Sequence, residues 1–458
     1  MVMKHLHFVG IGGARLRGLA NLYLDRGFQI SGSDCQSSRE LDALAQKGVK
    51  IYIGHQPQQI DGADLVVYTN AVGSANVEVI EAERRRIPLL EGAELLGELM
   101  GEVGSGIAIA GTHGKTTTTA MTSLVLTEGG LDPTVFIGGE ISAFNGNHRT
   151  GSSPYMVVEA CEFRKSFLKL KPSIEVITNI DWDHPDCFPS LNAVVDTFEE
   201  FINLLPVNGT LVVWGDDPNA YQLGNKFTGK LITFGYQEEF DWSIRGIRPV
   251  EPIGIAAQLC YKGKPQQEII LKVPGRHNLQ NALAALAVAV ELGVDLNRAL
   301  ETLANFTGVK KRFEIKGDYH GTLIVDDYAH HPAAVKMTLA AARQVFKGRI
   351  WCAFQPHLYS RTKHLLKEFA QSFEDADIVV LADIFAAREI DPKDISSADL
   401  AREASLYHRN IRYLGDFEII YQHLQENLQP GDLLITMGAG NIWKVGEKLL
   451  QKNDINIK

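Results

Sequence analysis

The stretch IAIAGTHGKTTTTAM, residues 107–121, decides how the middle of this chain folds. An apolar run that favours a strand is followed by two glycines and then by a run that favours a helix. Gly111 and Gly114 allow the backbone to approach a phosphate closely, so that amide groups face its oxygens. Lys115 can place a positive charge between terminal phosphates, and Thr116 can offer a hydroxyl to Mg²⁺. This order of elements predicts a phosphate-binding loop.

The loop is shorter than the GxxxxGK[ST] form, because Ile109 stands where the first glycine of that form belongs. A threonine turn that caps a helix is the alternative interpretation. A cap needs neither Lys115 nor two glycines, so the sequence favours the phosphate loop.

Two later apolar runs end in groups that suit a hard cation. YMVVEA delivers Glu159, and IEVITNIDWDHP delivers Asn179, Asp181, Asp183 and His184. The carboxyl ends of parallel strands are where such sheets place their chemistry. Mg²⁺ prefers oxygen ligands, which Glu159 supplies. A histidine is an unusual ligand for so hard an ion, and His184 as a buttress of its loop is an equally good interpretation.

The N-terminal stretch FVGIGGARLRGLANLYLDRGF, residues 8–28, has the layout of a dinucleotide-binding turn. An apolar run ends at Gly10, Gly12 and Gly13, and Asp34 follows about twenty residues later. Arg15 occupies the position of the third glycine. A nicotinamide cofactor and any other diphosphate would both place their charge at the following helix start, so this pattern alone leaves the ligand open.

Length and composition limit the number of domains and the kinds of partner that the chain is expected to have. A chain of 458 residues is expected to form about three domains. The net charge of −10 argues against nucleic acid as a partner. No apolar run approaches the roughly 20 residues that span a bilayer, and the N-terminus runs directly into a strand rather than a signal peptide. The five cysteines lack CxxC spacing, which favours reduced thiols in a cytoplasmic protein.

The fold class follows from the alternation of short apolar runs with helical stretches along the whole chain. We predict an α/β protein with three consecutive α/β domains, with a boundary at the glycine-rich GEVGSG, residues 101–106. The predicted domains are residues 1–102, 103–308 and 309–458.

Six motifs carry a resemblance to a known family: GTHGKTTT, TNIDWDH, GRHNLQNALAA, KRFE, VDDYAHHP and FQPHLYSRT. In this order, over essentially the whole chain, they resemble the Mur ligases of peptidoglycan synthesis. The last two, with TMGAGNIWKVG, are most similar to the members that add L-alanine. The resemblance implies a Rossmann-like N-terminal domain that binds a UDP-sugar, a central P-loop ATPase-like domain, and a Rossmann-like C-terminal domain that binds ATP and the amino acid.

The activity that the resemblance implies is ATP-dependent ligation of L-alanine to the carboxylate of UDP-N-acetylmuramate. The reaction passes through an acyl phosphate and releases ADP and phosphate, with ATP and Mg²⁺ required. Three alternatives remain: a ligase that attaches a recycled murein tripeptide to the same nucleotide-sugar, a non-catalytic nucleotide-sugar-binding homologue, and a nicotinamide-dependent dehydrogenase. The oligomeric state is left open.

The resemblance also implies roles for individual residues. The catalytic residues are Lys115, Glu159, His184 and His330. The magnesium ligands are Thr116, Glu159 and His184. The ATP-binding residues are Gly111, Thr112, His113, Gly114, Lys115, Thr116, Thr117, Asn278, Arg312 and Asp327. The UDP-sugar-binding residues are Gly12, Gly13, Ser33, Asp34, Asn70 and Ala71. The amino-acid-binding residues are Tyr328, His330, His357 and Arg361.

Some of these roles have plain structural alternatives. Asn278 suits an ordinary helix N-terminus, where its side chain satisfies a backbone donor. Arg361 suits a solvated helix face. Leu358 stands where many relatives have an arginine, which leaves Arg361 as the main partner for the carboxylate of the amino acid.

Other positions depart from the common pattern of the family. Arg15 and Arg17 replace a glycine and a serine of the opening loop, so they either contribute cationic contacts to the diphosphate or obstruct it. Cys161 replaces an aspartate in EACEFR and is a poor magnesium ligand, so the metal role in that motif rests on Glu159.

Overall fold

The computed structural model describes residues 4–73, 75–184, 187–387 and 389–453. By its internal contacts the chain divides into two compact units. Unit 1 consists of Met1–Ile180, Val195–Thr233 and Ala284–Ala299, and unit 2 consists of Asp181–Val194, Phe234–Leu283 and Leu300–Lys458. Among the described residues, no helix combines the length and the apolar character that crossing a bilayer requires.

The first sheet is parallel throughout and belongs to unit 1, with strand order β3-β2-β1-β4-β5. Its strands are β1 His5–Val9, β2 Gln29–Asp34, β3 Lys50–Ile53, β4 Leu65–Tyr68 and β5 Leu89–Glu91. The accompanying helices are α1 Ala14–Asp25, α2 Arg39–Gln46, α3 Val77–Arg85 and α4 Gly92–Val103. Because β1 lies in the middle of the sheet, the glycine turn that follows it opens at the carboxyl edge.

The middle of the chain forms the second α/β group. Its strands are β6 Ser105–Ala110, β7 Thr134–Ile141, β8 Gly146–Arg149, β9 Tyr155–Glu159, β10 Ile174–Ile177, β11 Thr210–Trp214, β12 Lys230–Gly235, β13 Trp242–Val250, β14 Gly254–Tyr261 and β15 Lys264–Leu271. Its helices are α5 Lys115–Glu128, α6 Leu191–Ile202, α7 Pro218–Lys226, α8 Arg276–Glu291 and α9 Leu296–Ala304. In unit 1, β11, β10, β6, β9 and β7 are parallel neighbours in that order, and β8 is antiparallel to β7. In unit 2, β13, β14 and β15 form antiparallel pairs.

Helix α1 of the first group packs on β7 of the second group within unit 1. A Cβ atom at Gly18 would lie 2.9 Å from Cδ1 of Phe136, so a side chain at this helical position would force the elements apart. The Asn147 amide donates to the carbonyl of Ala14 at 2.8 Å. The N-terminus of α1 therefore lies beside the edge of the central sheet.

The third sheet belongs to unit 2 and has the order β16-β17-β21-β18-β19-β20. Its strands are β16 Glu314–Tyr319, β17 Thr322–Asp327, β18 Ile350–Phe354, β19 Ile378–Ala382, β20 Ile411–Gly415 and β21 Leu433–Met437. Its helices are α10 Pro332–Val345, α11 Tyr359–His364, α12 Leu366–Ala370, α13 Ser397–Ala404, α14 Phe417–Asn427 and α15 Trp443–Asn453. Only β16 is antiparallel to its neighbour in this sheet. Alternate residues of β18 enter opposite cores, Phe354 on one face and Trp351 on the other.

The predicted fold class is confirmed. The described residues form three sheets, each with its own helices, in consecutive parts of the chain. Strands β14 and β15 pair as an antiparallel hairpin. The boundaries at residues 102 and 308 stay predictions.

Candidate active site

The phosphate loop has the backbone that its glycines predict. Gly111 has a φ of +137° and Gly114 a φ of +84°, values that disfavour other residues. A Cβ atom at Gly111 would lie 2.0 Å from the Thr178 hydroxyl, so no side chain fits there. Helix α5 begins immediately afterwards at Lys115. The loop therefore presents peptide N–H groups at a helix start, as an anion site requires.

Asn179, at the end of the neighbouring strand, holds the loop in place. Its backbone carbonyl accepts the Thr112 N–H at 3.0 Å, and its side-chain oxygen accepts the His113 N–H at 2.8 Å. Its amide group donates in turn to the His113 carbonyl at 2.9 Å. Sequence analysis offered Asn179 as a strand-end group for a metal, whereas the structure gives it a supporting role.

Lys115 is folded back on its own loop. Its ammonium donates to the carbonyls of Gly111 and Thr112, and it forms an ion pair of 2.9 Å with Glu162. Burial lowers the pKa of Lys115, but Glu162, Cys161 and Glu159 raise it more, so the net pKa lies above its ordinary value. The lysine is therefore charged. Sequence analysis missed Glu162, although an acid three residues after Glu159 was visible.

Thr116 and Glu159, two of the three predicted magnesium ligands, lie together in unit 1. The Thr116 hydroxyl donates to Glu159 at 3.1 Å, and the other carboxylate oxygen accepts the Gly138 N–H at 2.6 Å. A hydroxyl and a carboxylate are hard oxygen donors of the kind that Mg²⁺ prefers. His184 belongs to unit 2, where its Nε2 lies 3.8 Å from Asp183, and its part in the metal site stays a prediction.

The N-terminal turn is shaped by residues that sequence analysis assigned to the ligand. The Gly12 N–H donates to the Asp34 carboxylate at 2.9 Å, and the Ser33 carbonyl accepts the Gly10 N–H at 2.8 Å. The Ser33 side chain is fully buried, and its hydroxyl donates to Glu78. Ser33 and Asp34 therefore fix the turn from behind.

A cavity of about 280 Å³ in unit 1 adjoins this turn. Gly13, Asn70 and Ala71 line it, as expected for residues that contact one ligand. Glu159 lines the same cavity, so the glycine turn of the first sheet and the candidate metal site of the second sheet share one space. The Asn70 amide donates to Glu91, another lining residue, at 2.6 Å.

The two unusual arginines of the opening loop differ in structure. Arg17 forms an ion pair of 3.2 Å with Glu140 on β7. Arg15 is half-buried and lines the cavity. The two arginines look alike in the sequence, because Glu140 is 123 residues away from Arg17.

The predicted amino-acid site in unit 2 has its residues close together. The rings of Tyr328 and His330 are 5.1 Å apart, and those of His330 and His357 are 5.5 Å apart. His330 donates from Nδ1 to the Tyr328 carbonyl at 2.8 Å. Burial and the neighbouring Arg361 hold the pKa of His330 well below its usual range, so the ring is neutral.

Arg361, the predicted partner of the amino-acid carboxylate, already has partners in the protein. The side chain is 1% exposed, and its guanidinium donates to Asp183 at 2.8 and 3.2 Å and to Nδ1 of His357 at 2.9 Å. The solvated-helix alternative is wrong for the same reason. Burial favours a raised pKa for Asp183, but Arg361 and then the nearby histidines hold it well below the ordinary value. Arg361 is thus a buried cation that already has an acidic partner.

The predicted ATP contacts from later in the chain also have partners. The Asn278 amide donates to the Pro274 carbonyl at 2.7 Å, so it supports the turn before α8 by a different bond from the predicted cap. Arg312 lies 5.1 Å from the centre of the Tyr328 ring. Asp327 accepts N–H groups from Phe313 and Ala329, each at 2.7 Å. Burial raises the pKa of Asp327 despite the opposing effect of Arg312.

Three family models match consecutive parts of the chain. The Mur ligase family catalytic domain matches residues 5–103, the Mur ligase middle domain matches residues 109–289, and the Mur ligase glutamate ligase domain matches residues 311–440.

Similar proteins extend over the full length. The UDP-N-acetylmuramate–L-alanine ligase of Caldanaerobacter subterraneus subsp. tengcongensis is 45% identical to the chain, over 98% of this chain and 98% of its own length. The UDP-N-acetylmuramate–L-alanine ligase of Acetivibrio thermocellus is 46% identical, over 98% of this chain and 96% of its own length. The crystal structure of UDP-N-acetylmuramate–alanine ligase from Thermotoga maritima matches with a TM-score of 0.84 and 28% identity, covering 99% of this chain and all of the other. A murein peptide ligase from Psychrobacter arcticus matches with a TM-score of 0.73 and 25% identity, covering 98% of each chain.

Proposed function

The chain belongs to the Mur ligase family, and from this premise we propose that it joins L-alanine to UDP-N-acetylmuramate at the expense of ATP. Two relatives named for this activity are 45% and 46% identical to it. The structural observation that carries the proposal is the cavity of unit 1, which is lined both by Gly13 of the nucleotide turn and by Glu159 beside the phosphate loop. Such a cavity can hold the part of a nucleotide-sugar that must approach the phosphate loop.

In this reaction the carboxylate of the sugar attacks the γ-phosphorus of ATP, which forms an acyl phosphate and releases ADP. The amine of L-alanine then attacks the acyl carbon, and the tetrahedral intermediate collapses with loss of phosphate. Because the first step joins two anions, the protein must neutralise charge and align the reactants. Lys115 and the loop N–H groups neutralise the phosphates, and Asn278, Arg312 and Asp327 complete the proposed ATP site.

Thr116, Glu159 and His184 are the proposed ligands of Mg²⁺. The fit rests on the two hard oxygen donors, which lie 3.1 Å apart. When bound, the ion stabilises negative charge on the transferred phosphoryl group. Glu159 is kept in position by the Gly138 N–H.

His330 is the proposed base for the amino group of L-alanine. Since Nδ1 donates its proton to the Tyr328 carbonyl, the neutral ring keeps its lone pair on Nε2. Tyr328 and His357 line the proposed amino-acid site. Arg361 binds the carboxylate of L-alanine once the guanidinium has left Asp183. That exchange replaces one carboxylate by another on the same guanidinium.

The proposed domains are residues 1–102, 103–308 and 309–458, and the bounds of the three family models support them. The proposed UDP-sugar contacts are Gly12, Gly13, Asn70 and Ala71, with Ser33 and Asp34 acting through the turn that they hold. We place the reaction in the cytoplasm, where ATP is supplied and where the five cysteine thiols stay reduced.

The experiment that tests this function measures ADP and phosphate release by the purified chain. Release is expected only when UDP-N-acetylmuramate, L-alanine and Mg²⁺ are all present. Separate reactions replace L-alanine by glycine, L-serine or the murein tripeptide. Faster turnover with the tripeptide would assign the peptide-ligase alternative. Absence of turnover with every acceptor, together with retained nucleotide-sugar binding, would assign the non-catalytic alternative, and a fluorescence change with NADH or NADPH would revive the dehydrogenase.

A further inference from the structure

Arg15 is the one basic side chain among the described residues that line the cavity of unit 1. The acids of the lining already have donors, because Glu91 accepts the Asn70 amide and Glu159 accepts the Gly138 N–H. No hydrogen bond or ion pair joins Arg15 to another side chain in the described part of the molecule. A half-buried guanidinium that opens on a cavity without a partner is a site for an anion.

The cavity that Arg15 lines reaches the phosphate loop. Glu159, another lining residue, accepts the Thr116 hydroxyl at 3.1 Å. Cys161 also lines the cavity, and the residue after it, Glu162, forms the ion pair with Lys115. Arg15 therefore shares its cavity with residues that adjoin the phosphate loop.

The nucleotide-sugar carries two kinds of anionic group, the diphosphate and the carboxylate of the muramate group. They require different binding groups. The N–H groups in the first turn of α1 have no acceptor within the helix, and they suit the diphosphate. The carboxylate of the muramate group must reach the terminal phosphate of ATP, so it lies nearer to Lys115 than any other anion of this substrate.

We propose that Arg15 binds the carboxylate of the nucleotide-sugar and positions it for attack on ATP. This assignment rests on the proposed function, and it adds a specificity-determining residue on the sugar side of the reaction. Arg15 thereby distinguishes a nucleotide-sugar with an acid from one without it.

The chain offers a matched control two residues away. Arg17 lies on the same helix, has the same charge and is paired with Glu140 at 3.2 Å. Arg15→Gln and Arg17→Gln therefore remove the same group from neighbouring positions, one open to the cavity and one already satisfied.

The experiment measures the binding of UDP-N-acetylmuramate and UDP-N-acetylglucosamine to the parent and both variants by calorimetry. The second ligand has the same diphosphate but lacks the carboxylate. Arg15→Gln is expected to weaken UDP-N-acetylmuramate about tenfold, which is about 1.4 kcal/mol, and to leave UDP-N-acetylglucosamine within about twofold. Arg17→Gln is expected to leave both within about twofold, and Arg15→Lys to recover part of the loss.

An equal loss for both ligands in Arg15→Gln would overturn the proposal in favour of a diphosphate contact. Unchanged binding of both ligands would also overturn the proposal. That result would show that the carboxylate of the nucleotide-sugar binds away from Arg15. Thermal melting of each variant separates a lost contact from a lost fold. Failure of the proposed function gives a different result, because the parent chain itself would then fail to form product.

Discussion

Lys115 in unit 1 and Arg361 in unit 2 are both cations of predicted binding sites, and both are held by an acid of their own unit. They are held differently. Lys115 shares its charge between loop carbonyls and Glu162, through a flexible stem that carries a point charge. Arg361 places two nitrogens on Asp183 and a third on His357. The difference teaches that, in their proposed roles, Lys115 would give up one acid at the end of a flexible stem, whereas Arg361 would have to exchange a buried carboxylate for that of the amino acid.

The largest expected effect is on the phosphate-loop side of this comparison. Lys115→Met removes the cation that neutralises the terminal phosphates, and we expect kcat/KM to fall about 1,000-fold in phosphate-release assays. Lys226→Met is the control, since Lys226 is an exposed lysine whose partner is Glu199. A fall below about tenfold for Lys115→Met would show that the loop works without its lysine and would break the comparison.

The next effect tests how firmly Arg361 is held. Asp183→Asn leaves a buried guanidinium without its anion, so the free energy of unfolding should fall by about 3 kcal/mol in denaturant titrations. Asp394→Asn removes the acid of the exposed pair with Lys363 and should change it by less than about 0.5 kcal/mol. Equal effects in the two variants would mean that Asp183 and Arg361 are joined no more firmly than a surface pair.

The next prediction, with a smaller effect, concerns His330, the proposed base of the amino-acid site. His330→Gln keeps a polar group but removes the base, and we expect kcat to fall about 100-fold. Because free amine increases with pH, part of the lost rate should return between about pH 7 and pH 9. A loss that is independent of pH would assign His330 a positioning role instead.

The fold class and the phosphate loop were predictable because local sequence sets them. Gly111, Gly114 and Lys115 act within one turn, and the alternation of strands and helices is a property of neighbouring residues. The cluster of Tyr328 and His330 was likewise within reach, since both lie in one loop.

The partners of the charged side chains were not predictable in the same way. Arg361 and Asp183 are 178 residues apart, and Arg17 and Glu140 are 123 apart. Such pairs depend on how strands and helices pack, which no local pattern contains. Asn278 is a different case, because the partner of its amide, the Pro274 carbonyl, is only four residues away, and the alternative interpretation as a cap named a backbone donor instead. Sequence therefore proposed candidate side chains more readily than it predicted what those side chains touch.

The smallest expected effect concerns Asp326, a buried acid of unit 2. Its carboxylate accepts a hydrogen bond from the Thr436 hydroxyl at 2.8 Å rather than from a cation. Burial raises its pKa from 3.8 to about 6. Between these values the folded chain binds more protons than the unfolded chain, so this group makes the free energy of unfolding fall as pH rises from about 4 to about 6. Asp326→Asn has no proton to lose and should lack that fall, with a gain of roughly 1–2 kcal/mol at pH 7.

Denaturant titrations from about pH 4 to pH 7.5 measure the difference between Asp326→Asn and the parent at each pH. Glu374→Gln is the control for loss of an acid, because Glu374 is exposed on the same unit. Two parallel stability profiles would contradict the raised pKa. A stability difference that grows up to about pH 6 and then stays constant would show that a buried acid without a cation costs stability here. That result would sharpen the comparison with Asp183, because the Arg361 guanidinium stabilises the charged form of Asp183 and Asp326 lacks such a partner.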